Sequence, residues 1–227
     1  MSPLESPVAD DLASDPWEAA YIRFQTPDEE ERKFIRRLVA AGAPGWDRDA
    51  VILDLFCGRG GGARALRRLG FRHVVGLDLS PRLLRARTDR SDCMVADCRV
   101  LPIATQSADI VVVQGGLHHL STIPKDLSTV LTEVARALRP GGIFVAVEPW
   151  STPFLAFVHA VCRIQIARRA VPKLDALSTM IEHERRTYEA WLRNGVTILR
   201  ELDRRFDRRQ LRRRLGKLHY VGTPREA

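Results

Sequence analysis

Cysteine is scarce in this chain, with Cys57, Cys93, Cys98 and Cys162 the 4 examples in 227 residues. They show neither the paired two-residue spacing of a zinc site nor the density of a secreted disulfide framework, so free thiols in a reducing, cytoplasmic setting are expected. Aromatic residues make up only 7% of the chain, and no platform for stacking nucleobases is evident. No stretch reaches the roughly eighteen uncharged apolar residues of a membrane span, and the N-terminus lacks the basic start and apolar core of a signal peptide. Internal repeats, low-complexity tracts and an obvious metal-ligand triad are also missing, so no metal site is expected.

What is present suits one well-cored domain, since 45% of the residues are hydrophobic. The net charge of +8 is nearly all arginine, spread over helical segments that also carry acids. That pattern reads as solvated helix faces; it keeps nucleic acid open as a partner without favouring it. The expected organisation is an N-terminal tail with cap helices over residues 1–45, a ligand-binding core over 46–150, and a helical lid with a terminal hairpin over 151–227.

The chain is organised around Val51-Ile52-Leu53-Asp54-Leu55-Phe56-Cys57-Gly58-Arg59-Gly60-Gly61-Gly62. An apolar strand stops at an acid, and a glycine-rich loop then feeds the amphipathic helix Ala63 to Leu69. Glycines let the backbone approach a ligand closely, and the helix N-terminus offers free N–H groups. Gly58-x-Gly60-x-x-Ala63 also satisfies the permissive dinucleotide fingerprint, so NAD stays open at this point. One βαβ step later, Val74 to Ser80 is a second strand ending in Asp78, placed for ribose hydroxyls. Met94-Val95-Ala96-Asp97 is a third strand, Ser107 to Gln114 a fourth, and Leu138-Arg139-Pro140-Gly141-Gly142 a turn before the strand Ile143 to Glu148. Strands alternating with helices of these lengths demand a parallel, doubly wound sheet with right-handed crossovers and a ligand crevice beyond the strand ends.

Taken in that order, these motifs from about Trp46 to Pro149 resemble the class I S-adenosylmethionine-dependent methyltransferases. The resemblance implies an α/β fold with a doubly wound, mostly parallel seven-stranded sheet and S-adenosyl-L-methionine as cofactor. It would put Cys57, Gly58 and Gly60 under the methionine portion, Asp54 near its amino group, Asp78 on the ribose with Leu79 against the adenine, Asp97 and Cys98 by the adenine amine, and Gln114 near the methionine end. It also implies a segment ahead of the first strand that folds over the cofactor, through which Tyr21 and Arg23 would reach the carboxylate; alternatively Trp17, Tyr21 and Phe24 only pack their helix onto the core. A hydroxyl acceptor needs a base, for which His118, His119 and Glu148 are the candidates, whereas an amine deprotonated beforehand needs none.

Ahead of the core, residues 1–15 read as a disordered tail, Pro16 to Phe24 as a short helix, and Thr26-Pro27-Asp28-Glu29-Glu30 as a capped helix start. Beyond Pro149, one helix over Phe154 to Ala170 and another over Lys173 to Arg193 are expected to form a lid with an apolar pocket, with His159 and His183 as substrate contacts. Phe206 to Gly222 is expected to be the antiparallel hairpin that ends the sheet, its first strand short or frayed because Arg208-Arg209 and Arg212-Arg213-Arg214 are poor strand formers. Three readings follow: a methyltransferase acting on a small-molecule acceptor, an RNA, DNA or protein methyltransferase using the arginine-rich C-terminal region, or a cofactor-binding protein of the same fold that does not transfer methyl groups. Lack of a proline-aromatic tetrapeptide after the fourth strand counts against nucleobase amines. Oligomeric state does not follow from the residues.

Overall fold

The computed structural model describes residues 16–87 and 92–225; the tail expected over residues 1–15 lies outside the described residues. A seven-stranded sheet in the order β3-β2-β1-β4-β5-β7-β6 forms the middle layer. Its strands are β1 (Val51–Leu55), β2 (His73–Asp78), β3 (Asp92–Val95), β4 (Ala108–Gln114), β5 (Leu138–Pro149), β6 (Phe206–Arg214) and β7 (Lys217–Pro224). The first five run parallel, while β7 pairs antiparallel with both β5 and β6, so the sheet is mixed at one end. Strand order reverses between β1 and β4, which opens a crevice beyond the carboxyl ends of those two strands.

The helices are α1 (Pro16–Phe24), α2 (Pro27–Ala40), α3 (Gly61–Arg68), α4 (Pro81–Arg85), α5 (Lys125–Ala137), α6 (Pro153–Cys162), α7 (Gln165–Ala170), α8 (Pro172–His183), α9 (Arg185–Arg193) and α10 (Gly195–Arg205). Both sheet faces are covered. On one, Phe34 and Leu38 of α2 and Ala63 and Leu66 of α3 pack on Ile52, Val74, Val112 and Val145. On the other, Leu127, Leu131 and Val134 of α5, Trp191 of α9 and Ile198 and Leu202 of α10 pack on Leu53, Val111 and Phe144. This double burial explains why β1 and β4 are near-continuous apolar runs without alternation. Fully burying one such side chain contributes roughly 1.5–3 kcal/mol.

Helix α2 begins as its sequence dictates. The Thr26 hydroxyl accepts from the Glu29 N–H at 3.3 Å and the Glu29 carboxylate accepts from the Thr26 N–H at 3.2 Å. This reciprocal capping box is worth on the order of 1 kcal/mol and fixes the register of the face that carries Glu30, Phe34 and Leu38 inward.

Three expectations need correction. Each of the two long lid helices is broken, the first between Cys162 and Gln165 and the second at Glu184, the residue between α8 and α9. The second break lets Glu184 turn inward while Trp191 anchors α9, its indole N–H donating to the Pro149 carbonyl at 2.8 Å. Strand β6 is full length, because β7 supplies a ladder partner along it from Phe206 to Arg214 and its arginines sit on an exposed edge that like charge protects from further pairing. Strand β5 starts at Leu138, the first residue of the predicted turn, with a register shift opposite Ala108 and Ile110.

Candidate active site

At the end of β1 the chain turns through Phe56 at φ 55°, Gly58 at φ 51° and Gly60 at φ 78°. Such conformations are cheap for glycine and strained for a side chain. The loop is tied to β2: the Gly58 N–H donates to Asp78 Oδ2 at 2.8 Å and the Cys57 N–H to the Leu77 carbonyl at 3.1 Å. Asp78 Oδ1 also accepts from the Ser80 N–H at 2.8 Å. A carboxylate offers about four lone-pair sites, so Asp78 positions the loop and retains capacity for a ligand's hydroxyls.

This turn lines a cavity of about 990 Å³ that continues under α1, α6 and α8. Two polar side chains meet it with unsatisfied atoms. Asp54 is 3% exposed and its Oδ2 has no hydrogen-bond partner, and the amide oxygen and nitrogen of Gln114 are both buried and unpartnered. Buried orphans of this kind are rare without a ligand, an ion or a water to complete them. Burial pushes the Asp54 carboxyl up to about 7, so an incoming cation would help it ionise. Gly62, at the start of α3, is required here: a Cβ there would lie 2.4 Å from Asp54 Oδ2.

Beyond β4 lie His118 and His119, on a 3₁₀ turn over Leu117–His119. Glu148, fully buried at the end of β5, accepts from the Gly116 and Leu117 N–H groups at 2.9 Å and meets His118 Nδ1 at 2.8 Å. On the other side, Glu184 approaches His118 Nε2 at 3.5 Å and His119 Nδ1 at 3.6 Å. Burial alone would push His118 down, but its hydrogen bonds to Glu148 and Glu184 outweigh that and hold it above its ordinary value. Its neighbour His119 is pushed down to about 4 by burial and by His118, so it is neutral near pH 7. Of the three residues expected to act as bases, Glu148 does not line the cavity and serves to hold His118; His118 is locked between carboxylates; His119 faces the cavity as a neutral imidazole.

The donor atoms of His118, His119 and Glu184 lie within 4.8 Å of one another, a group that could hold a metal ion and that the sequence alone did not suggest. The Glu184 contacts just described account for its spacing.

Leu79, Asp97 and Cys98 line the β2–β3 end of the cavity, with Asp97 tied to Arg99 at 2.7 Å. Burial pushes the Cys98 thiol up to about 12 and raises Cys57 as well, so neither is a nucleophile. Tyr21 stacks on Trp17, carries the Arg59 guanidinium over its ring at 5.0 Å and donates to Glu30, which also pairs with Arg64 at 3.2 Å. Arg23 lies apart from these residues: it is exposed, pairs with Asp175 at 3.5 Å and does not line the cavity. His159 and His183 are also outside it, His159 bound to the Tyr188 hydroxyl at 3.2 Å and His183 exposed at the end of α8. Helical periodicity placed these three on α1, α6 and α8 but could not say which face would meet the cleft.

Sequence reasoning missed Glu30, Lys33, Arg37, Glu184 and Lys217, all of which line the cavity. A signal existed for the first three, since Glu30, Lys33 and Arg37 flank the core positions Phe34 and Leu38 of α2 at helical spacing. For Glu184 and Lys217 no local signal exists.

Residues 53–146 match the family described as a methyltransferase domain. This segment is similar to a methyltransferase domain. Similar proteins include a demethylmenaquinone methyltransferase of Mycobacterium marinum, 35% identical over 124 residues that cover 54% of this chain and 51% of that protein. A ubiquinone/menaquinone biosynthesis C-methyltransferase of Syntrophotalea carbinolica is 28% identical over 63% of this chain and 59% of its own length. The chain spans about half the length of the relatives it matches first. Among solved structures, a Pyrococcus horikoshii protein superposes with a TM-score of 0.69 at 18% identity, covering 93% of this chain and 99% of that one. An S-adenosylmethionine-dependent methyltransferase of Mesorhizobium loti gives 0.54 at 22% identity over 81% and 95%. These likenesses share the fold.

S-adenosylmethionine is the cofactor of methyltransferase domains of this class, and the residues present fit it. The buried, unpartnered Asp54 suits an ammonium, Gly62 leaves the room that Asp54 needs, and no lysine from the loop crowds a ligand that lacks phosphates. No helix among the described residues is long and apolar enough to cross a membrane.

Proposed function

We propose that the chain is an S-adenosylmethionine-dependent methyltransferase that acts on a small, largely apolar acceptor. The observation that carries this is the two-part cavity, in which the polar end at β1, β2 and β4, with its unsatisfied Asp54 and Gln114, continues into a wall of Phe154, Leu155, Val158, Leu177, Met180 and Ile181. When bound, the cofactor supplies a methyl group on an already activated sulfonium. What remains for the protein is to hold the acceptor in line and keep water out. Asp78 and the glycine loop would orient the nucleoside, Asp54 the amino group, and Gln114 the methionine end. In this reading α1, α6 and α8 act as a lid, with Tyr21 over the glycine loop. A hydroxyl acceptor would give its proton to His119, which is neutral and faces the cleft, while the Glu148–His118–Glu184 chain keeps that turn in place.

Relatives include a tRNA (carboxymethyluridine(34)-5-O)-methyltransferase of Arabidopsis thaliana, 30% identical over 53% of this chain. The apolar wall favours a small acceptor over a nucleic acid, and the exposed arginines of β6 belong to the far edge of the sheet. Calorimetry with S-adenosylmethionine, S-adenosylhomocysteine and NAD tests the reading: micromolar binding of the two adenosyl ligands without NAD supports it, and NAD alone overturns it. Once an acceptor is found, His119→Ala that turns over normally excludes a histidine base at that position.

A further inference from the structure

Three cations, Lys33, Arg37 and Lys217, line the same cavity. Lys33 and Arg37 stand one turn apart on α2, and Lys217 opens β7, paired in register with Pro149 at the end of β5. All three line the cavity and none is exposed. The chain has only 4 lysines against 32 arginines, and 2 of those 4 are these. Like charges one helical turn apart repel, and burying them adds the loss of hydration.

The nearest acids, Glu30, Glu148 and Glu184, act on them only at longer range and are each engaged elsewhere. Glu30 is engaged by Tyr21 and Arg64, Glu148 by His118 and two backbone N–H groups, and Glu184 by both histidines. Among the described residues, no carboxylate comes within ion-pair distance of Lys33, Arg37 or Lys217. What they do have is weaker: Lys33 Nζ donates to Gln25 Oε1 at 2.5 Å, and Lys33 and Arg37 flank the Phe34 ring at 4.6 and 5.6 Å. Cation–π contacts of this kind return less than a buried charge loses. Burial and mutual repulsion push Lys33 down to about 7 and Lys217 to about 8, the direction expected of cations that lack their anion.

Resting on the methyltransferase reading, we propose that Lys33, Arg37 and Lys217 form an anion subsite and that the acceptor is an amphipathic acid, its carboxylate or phosphate on these cations and its apolar body against α6 and α8. The cofactor end has its own groups, Asp54, Asp78 and Gln114, on β1, β2 and β4. Lys217 stands instead beside Pro149, and Leu155 of the apolar wall packs at the adjacent Gly216. An arginine with two lysines accommodates either a carboxylate or a phosphate, and charge-assisted hydrogen bonds supply the preference over a neutral head group.

The test is calorimetry on the full chain saturated with S-adenosylhomocysteine, titrated with octanoate, octyl phosphate and 1-octanol. At least one of the two anions should bind about tenfold or more tightly than the alcohol, and the better one names the head group. Arg37→Met and Lys217→Met keep the apolar stems, and each should cut that preference about fivefold while leaving S-adenosylhomocysteine affinity within about twofold, which also reports that the variant is folded. Equal binding of alcohol and anions with the cofactor product bound overturns the subsite alone. Variants that lose S-adenosylhomocysteine along with octanoate move the cations to the cofactor carboxylate, which also overturns it. A wild-type chain that binds no S-adenosylhomocysteine overturns the methyltransferase reading, and the acceptor subsite falls with it.

Discussion

At the β1–β2 end of the cleft, the groups that face a ligand are fixed by backbone. Asp78 accepts the N–H groups of Gly58 and Ser80, and Asp54 is wedged against Gly62 of α3. Elsewhere around the cavity, the facing groups are side chains on separate helices: Lys33 and Arg37 from α2, Leu155 from α6, Leu177 and Ile181 from α8. On the proposed reading, the first end would hold one molecule and the second would be the end that varies. Changes at the first should therefore cost binding steeply, while changes at the second should alter which acceptor is taken and leave cofactor affinity alone.

Gly62→Ala gives the largest expected effect. Its new Cβ would lie 2.4 to 2.8 Å from three atoms of the Asp54 carboxyl, a short, buried side chain with nowhere to retreat. Overpacking of this kind costs on the order of 1–3 kcal/mol, and displacing Asp54 should bring the loss in S-adenosylhomocysteine affinity to about 100-fold. Leu155→Ala, beside Gly216 at the other end, should leave that affinity within about twofold. Calorimetry of the two side by side breaks the contrast if Leu155→Ala is the worse.

Next comes Asp78→Ala, expected to weaken cofactor binding by about 1.5–3 kcal/mol, the worth of hydrogen bonds to a charged group plus the loosening of the Gly58 loop. Unchanged affinity would mean that the loop holds itself and that Asp78 contacts no ribose.

A smaller, pH-dependent effect belongs to Asp54. Its carboxyl is raised to about 7 by burial, so the folded, ligand-free chain retains a proton there that an unfolded aspartate would have lost. An ammonium binds the ionised form, so affinity should rise with pH and level off above about 7. Between pH 8 and pH 6 the ionised fraction falls about tenfold, equivalent to roughly 1.4 kcal/mol. Titrations with S-adenosylhomocysteine across that range should follow this slope for the wild type, and Asp54→Asn should flatten it while weakening binding at pH 8.

The same division governs how much could be read from the residues alone. Strand ends, the glycine loop and the capping box are local patterns, so Asp54, Asp78, Asp97 and Gln114 were found where the strands stop. The hairpin was legible too, although its arginines argued against a long strand, because a ladder partner can override weak propensity. The acceptor end was not legible. Lys217 meets Lys33 and Arg37 across the whole chain, and Glu184 reaches His118 only because the predicted single helix breaks at that residue. Apolar periodicity identifies a lid helix without saying which way its histidines turn, which is why His159 and His183 were placed in the pocket and Arg23 on the cofactor.

The smallest effect sharpens the contrast at the point where the two ends touch. Glu184 approaches both histidines at 3.5 and 3.6 Å, and through them it links α9 to the turn after β4. Because His118 is held above its ordinary value of 6.5, the stabilisation it draws from Glu148 and Glu184 is complete below about pH 6.5 and is lost as pH rises through the folded value. Glu184→Gln keeps the shape and removes the charge, so it should lower stability by about 0.5–1 kcal/mol at pH 6 and by progressively less at higher pH. Thermal unfolding of the wild type and the variant at pH 6 and pH 9 measures that gap. A gap of the same size at both values would mean that Glu184 only packs, and that the lid helices are joined to the histidine turn by shape and not by charge.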